Sequence, residues 1–224
     1  MSIIQGLAHK RMVVEAGEVP NDYIAYYPLD TNSLDETGNY DGTDYGVTYD
    51  GSSAVFDGVN DRIQLISNVN SFGYTDKYTY SVWFNTTVAS WSEIVNDYYT
   101  PTTALPVDTD IRLSITGTGT VWVRTTRNSV NTDLESASTY NDGNWHNATY
   151  VVDASTTALY VDGVVVDTGS TSYRTNTVND RVMLGSRKYD NIEGLYFNGK
   201  ISNLKIYNRA LCQEEITSLY NEGY

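Results

Sequence analysis

Apolar and polar residues alternate in short runs along most of this chain. In Tyr78-Thr-Tyr-Ser-Val-Trp-Phe84 the residues Tyr78, Tyr80, Val82 and Phe84 share one face, and in Asp110-Ile-Arg-Leu-Ser-Ile-Thr116 the residues Ile111, Leu113 and Ile115 do the same. A period of two is the mark of strands with one buried face. Turn signals separate the runs. Asp162-Gly163 lies between Leu159-Tyr-Val161 and Val164-Val-Val166, which predicts a two-residue hairpin whose two central positions need positive φ. Thr116-Gly-Thr-Gly-Thr120 divides Ile111–Ile115 from Val121-Trp-Val123 and predicts a second hairpin. One helix is predicted, over Leu211 to Tyr220: Leu211, Ile216, Leu219 and Tyr220 fall largely on one face, Glu215 can complete a capping box, and Gly223 follows as a stop. Many short strands with frequent turns predict an all-β, two-sheet antiparallel sandwich. Trp83, Phe84, Trp122, Trp145, Val161, Leu184 and Ile206 are expected to be mostly buried, between or beside the two sheets.

Composition sharpens this picture. Twenty tyrosines, with Val, Ile and Thr, favour strands, and 224 residues with four prolines and no linker-like run suit one domain. The first twenty residues stand apart. Residues 1–20 form no strand pattern and hold Lys10 and Arg11 in a chain of net charge −14. They also hold Ile3, Ile4, Leu7, Met12, Val13 and Val14, more apolar than a solvated tail. The division expected is an N-terminal arm, 1–20, and a sandwich domain, 21–224. Such an acidic chain repels phosphate backbones, so nucleic acid is excluded as a partner. One cysteine rules out an internal disulfide, and no apolar run approaches 18 residues, so no membrane insertion is expected. The N-terminus lacks the apolar core of a signal peptide, which points to a protein kept in a cytoplasm or assembled into a particle there.

Six blocks in order resemble a known family. They are Tyr27-Pro-Leu-Asp30 with Leu34-Asp-Glu-Thr-Gly-Asn39; Ala54-Val-Phe-Asp-Gly-Val-Asn-Asp-Arg-Ile63; Tyr78 to Asn85; Asn141-Asp-Gly-Asn-Trp-His146; Leu159-Tyr-Val-Asp-Gly163; and Phe197-Asn-Gly-Lys-Ile201 running on to Tyr207-Asn-Arg-Ala-Leu211. Together they resemble the laminin G-like type of the concanavalin A-like jelly roll, over roughly residues 23 to 220. The resemblance implies a two-sheet jelly-roll sandwich with a short C-terminal helix. The family's usual Ser is replaced by Cys212 at the helix start, which implies a weaker cap.

Retaining glucanases of the superfamily carry Glu-x-Asp-x-x-Glu on a concave strand, so that two carboxylates flank the glycosidic bond. No Glu here has Asp two residues on, and Glu93-Ile-Val-Asn-Asp97 has the wrong spacing, so no enzyme is expected. His146 reads as structural. Asn85-Thr-Thr and Asn147-Ala-Thr match glycosylation acceptors but fall on predicted strands. Calcium is the candidate cofactor, because hard cations take loop oxygens. The loop Asp30 to Asn39 offers Asp35 and Asn39, and a second acidic stretch runs from Asp97 to Asp110. The family's acidic pair near the C-terminus is absent at Ile201-Ser-Asn-Leu204, which weighs against a family-type site. For a glycan ligand, exposed aromatic rings and planar polar groups are wanted. Trp91, Tyr98, Tyr99, Tyr189, Asp190 and Asn191 supply them in or beside expected loops, with Asn96, Asp97 and Arg187 nearby.

The resulting expectation is a non-enzymatic recognition or adhesion domain that binds a cell-surface glycan. It sits on a virion surface, with Ile3, Ile4, Leu7, Lys10 and Arg11 anchoring it to other virion proteins or into a homo-oligomer. The alternatives are a structural virion decoration that binds no glycan and, third, a glycan-degrading enzyme with an unrecognised site.

Overall fold

The structure, a computed structural model, describes residues 18–66, 76–98, 109–127, 130–171, 181–189 and 192–224. Its strands in chain order are β1 (Ala25–Tyr27), β2 (Thr43–Tyr45), β3 (Thr48–Tyr49), β4 (Ala54–Asp57), β5 (Arg62–Ile66), β6 (Lys77–Asn85), β7 (Ser92–Tyr98), β8 (Thr109–Ile115) and β9 (Thr120–Arg127). They continue with β10 (Val130–Thr139), β11 (Trp145–Asp153), β12 (Thr156–Val161), β13 (Val164–Ser170), β14 (Arg181–Leu184), β15 (Arg187–Tyr189), β16 (Ile192–Gly194) and β17 (Asn198–Tyr207), and one helix, α1 (Gln213–Glu222), closes the chain.

Two antiparallel sheets face each other. One runs β13-β12-β11-β6-β17-β4-β3, with β1 also paired to β17; the other runs β10-β9-β8-β7-β14-β5-β2. Consecutive strands on opposite sheets make the crossings of a jelly-roll sandwich, and the expected fold class is what the chain adopts. Between the sheets lie Tyr78, Tyr80, Val82 and Phe84 from β6, Ile111, Leu113 and Ile115 from β8, and Tyr150 and Val152 from β11, all but fully buried. The alternation seen in the sequence is therefore the in/out alternation of a pleated strand. Asp162 and Gly163 take φ of 52° and 75°, as the turn between β12 and β13 requires. The open edges of the two sheets are stitched where β10 meets β13: Thr132 Oγ1 donates to the Ser170 carbonyl and the Glu135 N–H to Asp167 Oδ2.

Trp83 and Trp122 are buried as expected, beside their sheets on the outer faces, and only Trp145 needs correction. Trp83 is covered by Tyr220 of α1, its ring stacked at 5.6 Å. Trp145 is only half-buried, beneath the stacked ring of Tyr224. The outer face of β6 and β11 carries Ser81, Asn147 and Thr149, bonded to one another. The two sequons are absorbed in the same region: the Asn147 amide is buried, and Asn85 Nδ2 donates to the Gly143 carbonyl. The helix starts two residues later than expected. Its Cys212 N–H donates to Glu215 Oε2, which Arg209 also holds. Among the described residues no helix is long and apolar enough to cross a membrane.

The segment leading into β1 is part of the domain. Val19 packs against Tyr207, Leu211, Ile216 and Leu219, the Tyr207 hydroxyl donates to the Pro20 carbonyl, and Asp22 pairs with Arg209. Residues 1–17, with the anchoring candidates Ile3, Ile4, Leu7, Lys10 and Arg11, lie outside the described residues.

Candidate functional site

The outer face of the seven-stranded sheet is the place where aromatic and planar polar side chains gather. Trp122 stands between the core residues Val121 and Val123, so the pleat turns it outward; Ser114, between Leu113 and Ile115, follows the same rule. Strand register then builds two rows. Glu93, Ser114, Trp122 and Glu135 align across β7, β8, β9 and β10, and Asn96, Arg112, Arg124 and Asp133 align in the next row. The second row continues through Met183 of β14 to Gln64 of β5.

The Trp122 ring is framed by cations. The Arg112 and Arg124 guanidinium carbons sit 5.2 and 5.0 Å from its centroid. Each guanidinium is fixed by a carboxylate. Arg112 gives Nε and Nη2 to Glu93 Oε1 at 3.0 and 2.6 Å, and Ser114 donates to Glu93 Oε2 at 2.5 Å. Arg124 binds Asp133 through two parallel bonds of 2.6 and 2.7 Å, and that hydrogen bonding holds its guanidinium pKa above the ordinary value. Glu93 has no exposed surface, and its charge is matched inside the protein rather than by water.

Trp91 precedes β7 and meets Trp122 edge to face, with centroids 5.2 Å apart and planes at 81°. Trp91 is 45% exposed, the most open tryptophan among the described residues. Beside it, the turn from β8 to β9 carries a run of hydroxyls. Thr116 Oγ1 lies 2.8 Å from Thr118 Oγ1 and 2.6 Å from Thr120 Oγ1, and Thr120 donates to Glu135 at 2.5 Å. An open aromatic face bordered by hydroxyls, a carboxylate and a guanidinium suits a polyhydroxylated ligand.

Of the ligand-binding residues expected from sequence, Trp91 is in this patch. Tyr98 and Tyr189 end strands β7 and β15, while Tyr99, Asp190 and Asn191 lie outside the described residues. Trp122, Arg112 and Arg124 were missed, although the apolar neighbours of Trp122 and Ser114 carried the signal that they face outward. Asp97 does not belong to a loop. A bulge at Ile94 shifts the register between Glu93 and Val95, so Asp97 faces the core, where its Oδ2 takes the Tyr80 hydroxyl at 3.1 Å.

Asp35, the expected calcium ligand, is buried in its own turn. Its carboxylate accepts from the N–H groups of Tyr26, Thr37, Asn39 and Tyr40 and from the Thr37 hydroxyl. Asn39 turns its amide to Thr37. A cage of hydrogens aimed at one carboxylate fits a turn anchor and does not fit a cation at this pair. Among the described residues no cluster of three or more His, Cys, Asp or Glu side chains is placed to hold a metal ion. His146, read as structural, lies between two carboxylates. Its Nδ1 is 2.8 Å from Asp162 and its Nε2 3.1 Å from Asp142, and the Asp162 bond raises its pKa above 6.5.

The fold and this face place the chain in a class: it belongs to the concanavalin A-like lectin/glucanases superfamily, whose family model matches residues 57–217. No curated protein matches the chain by sequence. Among solved structures it is similar to domain 4 of AbnA, an extracellular GH43 arabinanase of Geobacillus stearothermophilus, in complex with arabinotriose. That likeness has a TM-score of 0.71 and 20% identity, over 89% of this chain and 98% of that one. It is also similar to the receptor binding domain of a botulinum neurotoxin of C/D mosaic serotype (TM-score 0.69, 14% identity, 90% of this chain, 51% of that one). A third likeness is to a Trypanosoma rangeli sialidase in complex with a difluorinated sugar acid (TM-score 0.69, 14% identity, 90% and 33%). The chain thus spans about half of the toxin domain and a third of the sialidase. At these identities the likeness is one of fold, and the superfamily holds both enzymes and binding domains.

Proposed function

We propose that the protein is a non-enzymatic carbohydrate-recognition domain and that it binds its glycan on the outer face of the seven-stranded sheet. The observation that carries this reading is the open Trp91, held edge-on by Trp122, which in turn is flanked by its cross-strand partner Glu135 and by the Arg124–Asp133 pair. A sugar's C–H face stacks on such a ring, and planar carboxylate and guanidinium groups meet its hydroxyls. The neighbouring arabinanase domain, solved with arabinotriose, supports the reading as a fold used for sugars. Against catalysis stands the placement of the acids. Glu93 is sealed by Arg112 and Ser114, and Asp97 faces the opposite side of the sheet, so the two cannot flank one bond.

The test is a glycan array followed by titration of the best ligands. Trp91→Ala should lower affinity roughly tenfold, the size expected for losing a central aromatic anchor, at an almost unchanged melting temperature because the ring is half in solvent. Turnover of a bound glycan that is lost in Glu93→Gln would overturn the non-enzymatic part. The reading extends to a virion surface, with residues 1–20 as the anchor to neighbouring virion proteins. Its support is the apolar and basic composition of that segment in an acidic chain.

A further inference from the structure

Asn96 is the residue of this face whose partners are missing. It stands on β7 in the row of Arg112 and Arg124, next to Met183 on β14. Its side chain is 1% exposed, and neither Oδ1 nor Nδ2 has a hydrogen-bond partner; Ser186 Oγ, just beyond β14, is buried and unpartnered as well. Buried amides are almost always paired, because an unmade hydrogen bond leaves the full cost of desolvation. Apolar side chains of similar size would serve packing better at this position, as Met183 does beside it. Arg112, the cross-strand neighbour of Asn96, still shows 12% of its side chain to solvent.

We propose that Asn96 is a specificity-determining residue of the carbohydrate surface, and that its amide receives the hydroxymethyl arm of a neutral sugar whose ring lies on the Trp91 side. The proposal rests on the glycan reading above. One edge of an amide offers an acceptor and a donor together. A single alcohol satisfies both, by donating its O–H to Oδ1 and accepting from Nδ2. A hydroxyl attached directly to the ring cannot descend below the surface without the ring itself. A CH2OH group carries its oxygen one carbon further from the ring and reaches where a ring hydroxyl cannot. An acidic arm is disfavoured: a carboxylate has no hydrogen to give Oδ1 and would lie near Glu93 in a chain of net charge −14.

The experiment compares cellohexaose with xylohexaose, two β-1,4-linked chains that differ in the hydroxymethyl group, by calorimetric titration. Matched pairs from the glycan array replace them if neither binds. Wild-type protein should prefer the member with the hydroxymethyl group by about tenfold, the discrimination set by one hydrogen-bonding group that must otherwise stay unpaired. Asn96→Leu should erase that preference by weakening only the hydroxymethyl-bearing ligand, and its melting temperature should equal or exceed that of wild type. Asn96→Ser serves the same purpose if the leucine variant folds poorly. Equal wild-type affinity for both members, or a preference that survives in Asn96→Leu, overturns the proposal. A higher melting temperature with unchanged binding also overturns it, assigning the amide to a buried water. If no glycan binds wild-type protein at all, the carbohydrate reading itself has failed.

Discussion

Replacing Asp35 with Ala distinguishes a turn anchor from a metal ligand. The carboxylate is 96% buried by its own loop, being 4% exposed, and it gathers four backbone N–H groups and one hydroxyl. Hydrogen bonds to a charged acceptor contribute about 1.5–3 kcal/mol each when both partners are withdrawn from water. The donors of Thr37 and Asn39 lie in half-open turn and can rehydrate. Those of Tyr26, within β1, and Tyr40, whose carbonyl also holds the Tyr27 hydroxyl, cannot do so freely. Counting those two in full and the rest as minor gives a loss of about 3–6 kcal/mol. For a chain of this size each kcal/mol shifts the melting temperature by about 2–4 °C, so a drop of roughly 10 °C is expected. The assay is thermal and urea unfolding of wild type, Asp35→Ala and Asp35→Asn, each with excess calcium and with chelator. The drop should be the same in both media, with Asp35→Asn intermediate because one carbonyl acceptor remains. A loss below about 1 kcal/mol, or one that appears only with calcium present, would refute the reasoning.

Two further outcomes follow from other contacts. His146 has its pKa raised by Asp162 and then Asp142, so its charged form is the one the fold favours. Its contribution is therefore complete below pH 6.5 and is lost as pH rises through the raised value. Asp142, held down to about 2 chiefly by its bonds from Asn144, contributes above 3.8 and loses its part as pH falls toward 2. The melting difference between wild type and His146→Gln should thus be largest between about pH 4 and 6.5 and shrink above; a pH-independent difference would exclude the charged bridge. Deleting residues 1–17 should leave the melting temperature almost unchanged and, on the proposed virion reading, abolish incorporation into a particle. Deletion through Asp22 should lower it by several degrees, since Tyr207 loses its acceptor and Arg209 one carboxylate; equal melting of the two truncations would contradict the docking of Val19 to Asp22.

Local patterns made much of the sandwich legible. The period-two runs at Tyr78–Phe84 and Ile111–Ile115, and Asp162-Gly163 between apolar triplets, each encode their structure within a few residues. The site was less legible because it is made across strands. Trp122 touches Arg112, Arg124 and Trp91 only through the pairing of β8 with β9 and the path of the chain into β7. Asp97 was placed in a loop because it opens an acidic stretch, whereas it lies within β7 and faces the core. Trp145 was read as mostly buried because large apolar residues prefer the interior, whereas it lies half-buried beneath Tyr224 on the outer face where Tyr220 covers Trp83. Trp91 was found because it interrupts no apolar pattern and precedes a strand.

The bulge at Ile94 has a consequence for what this scaffold could become. In a regular strand, residues four apart point the same way, and Glu93 and Asp97 would stand together on the open side of the sheet. Deleting Ile94 would not bring them together: Val95 already pairs with Leu113, so Asn96 would stay outward and Asp97 inward. Only a strand that took Ile94 into regular pairing would carry Asp97 out beside Glu93, so the bulge itself is what keeps a pair of adjacent acids off this face.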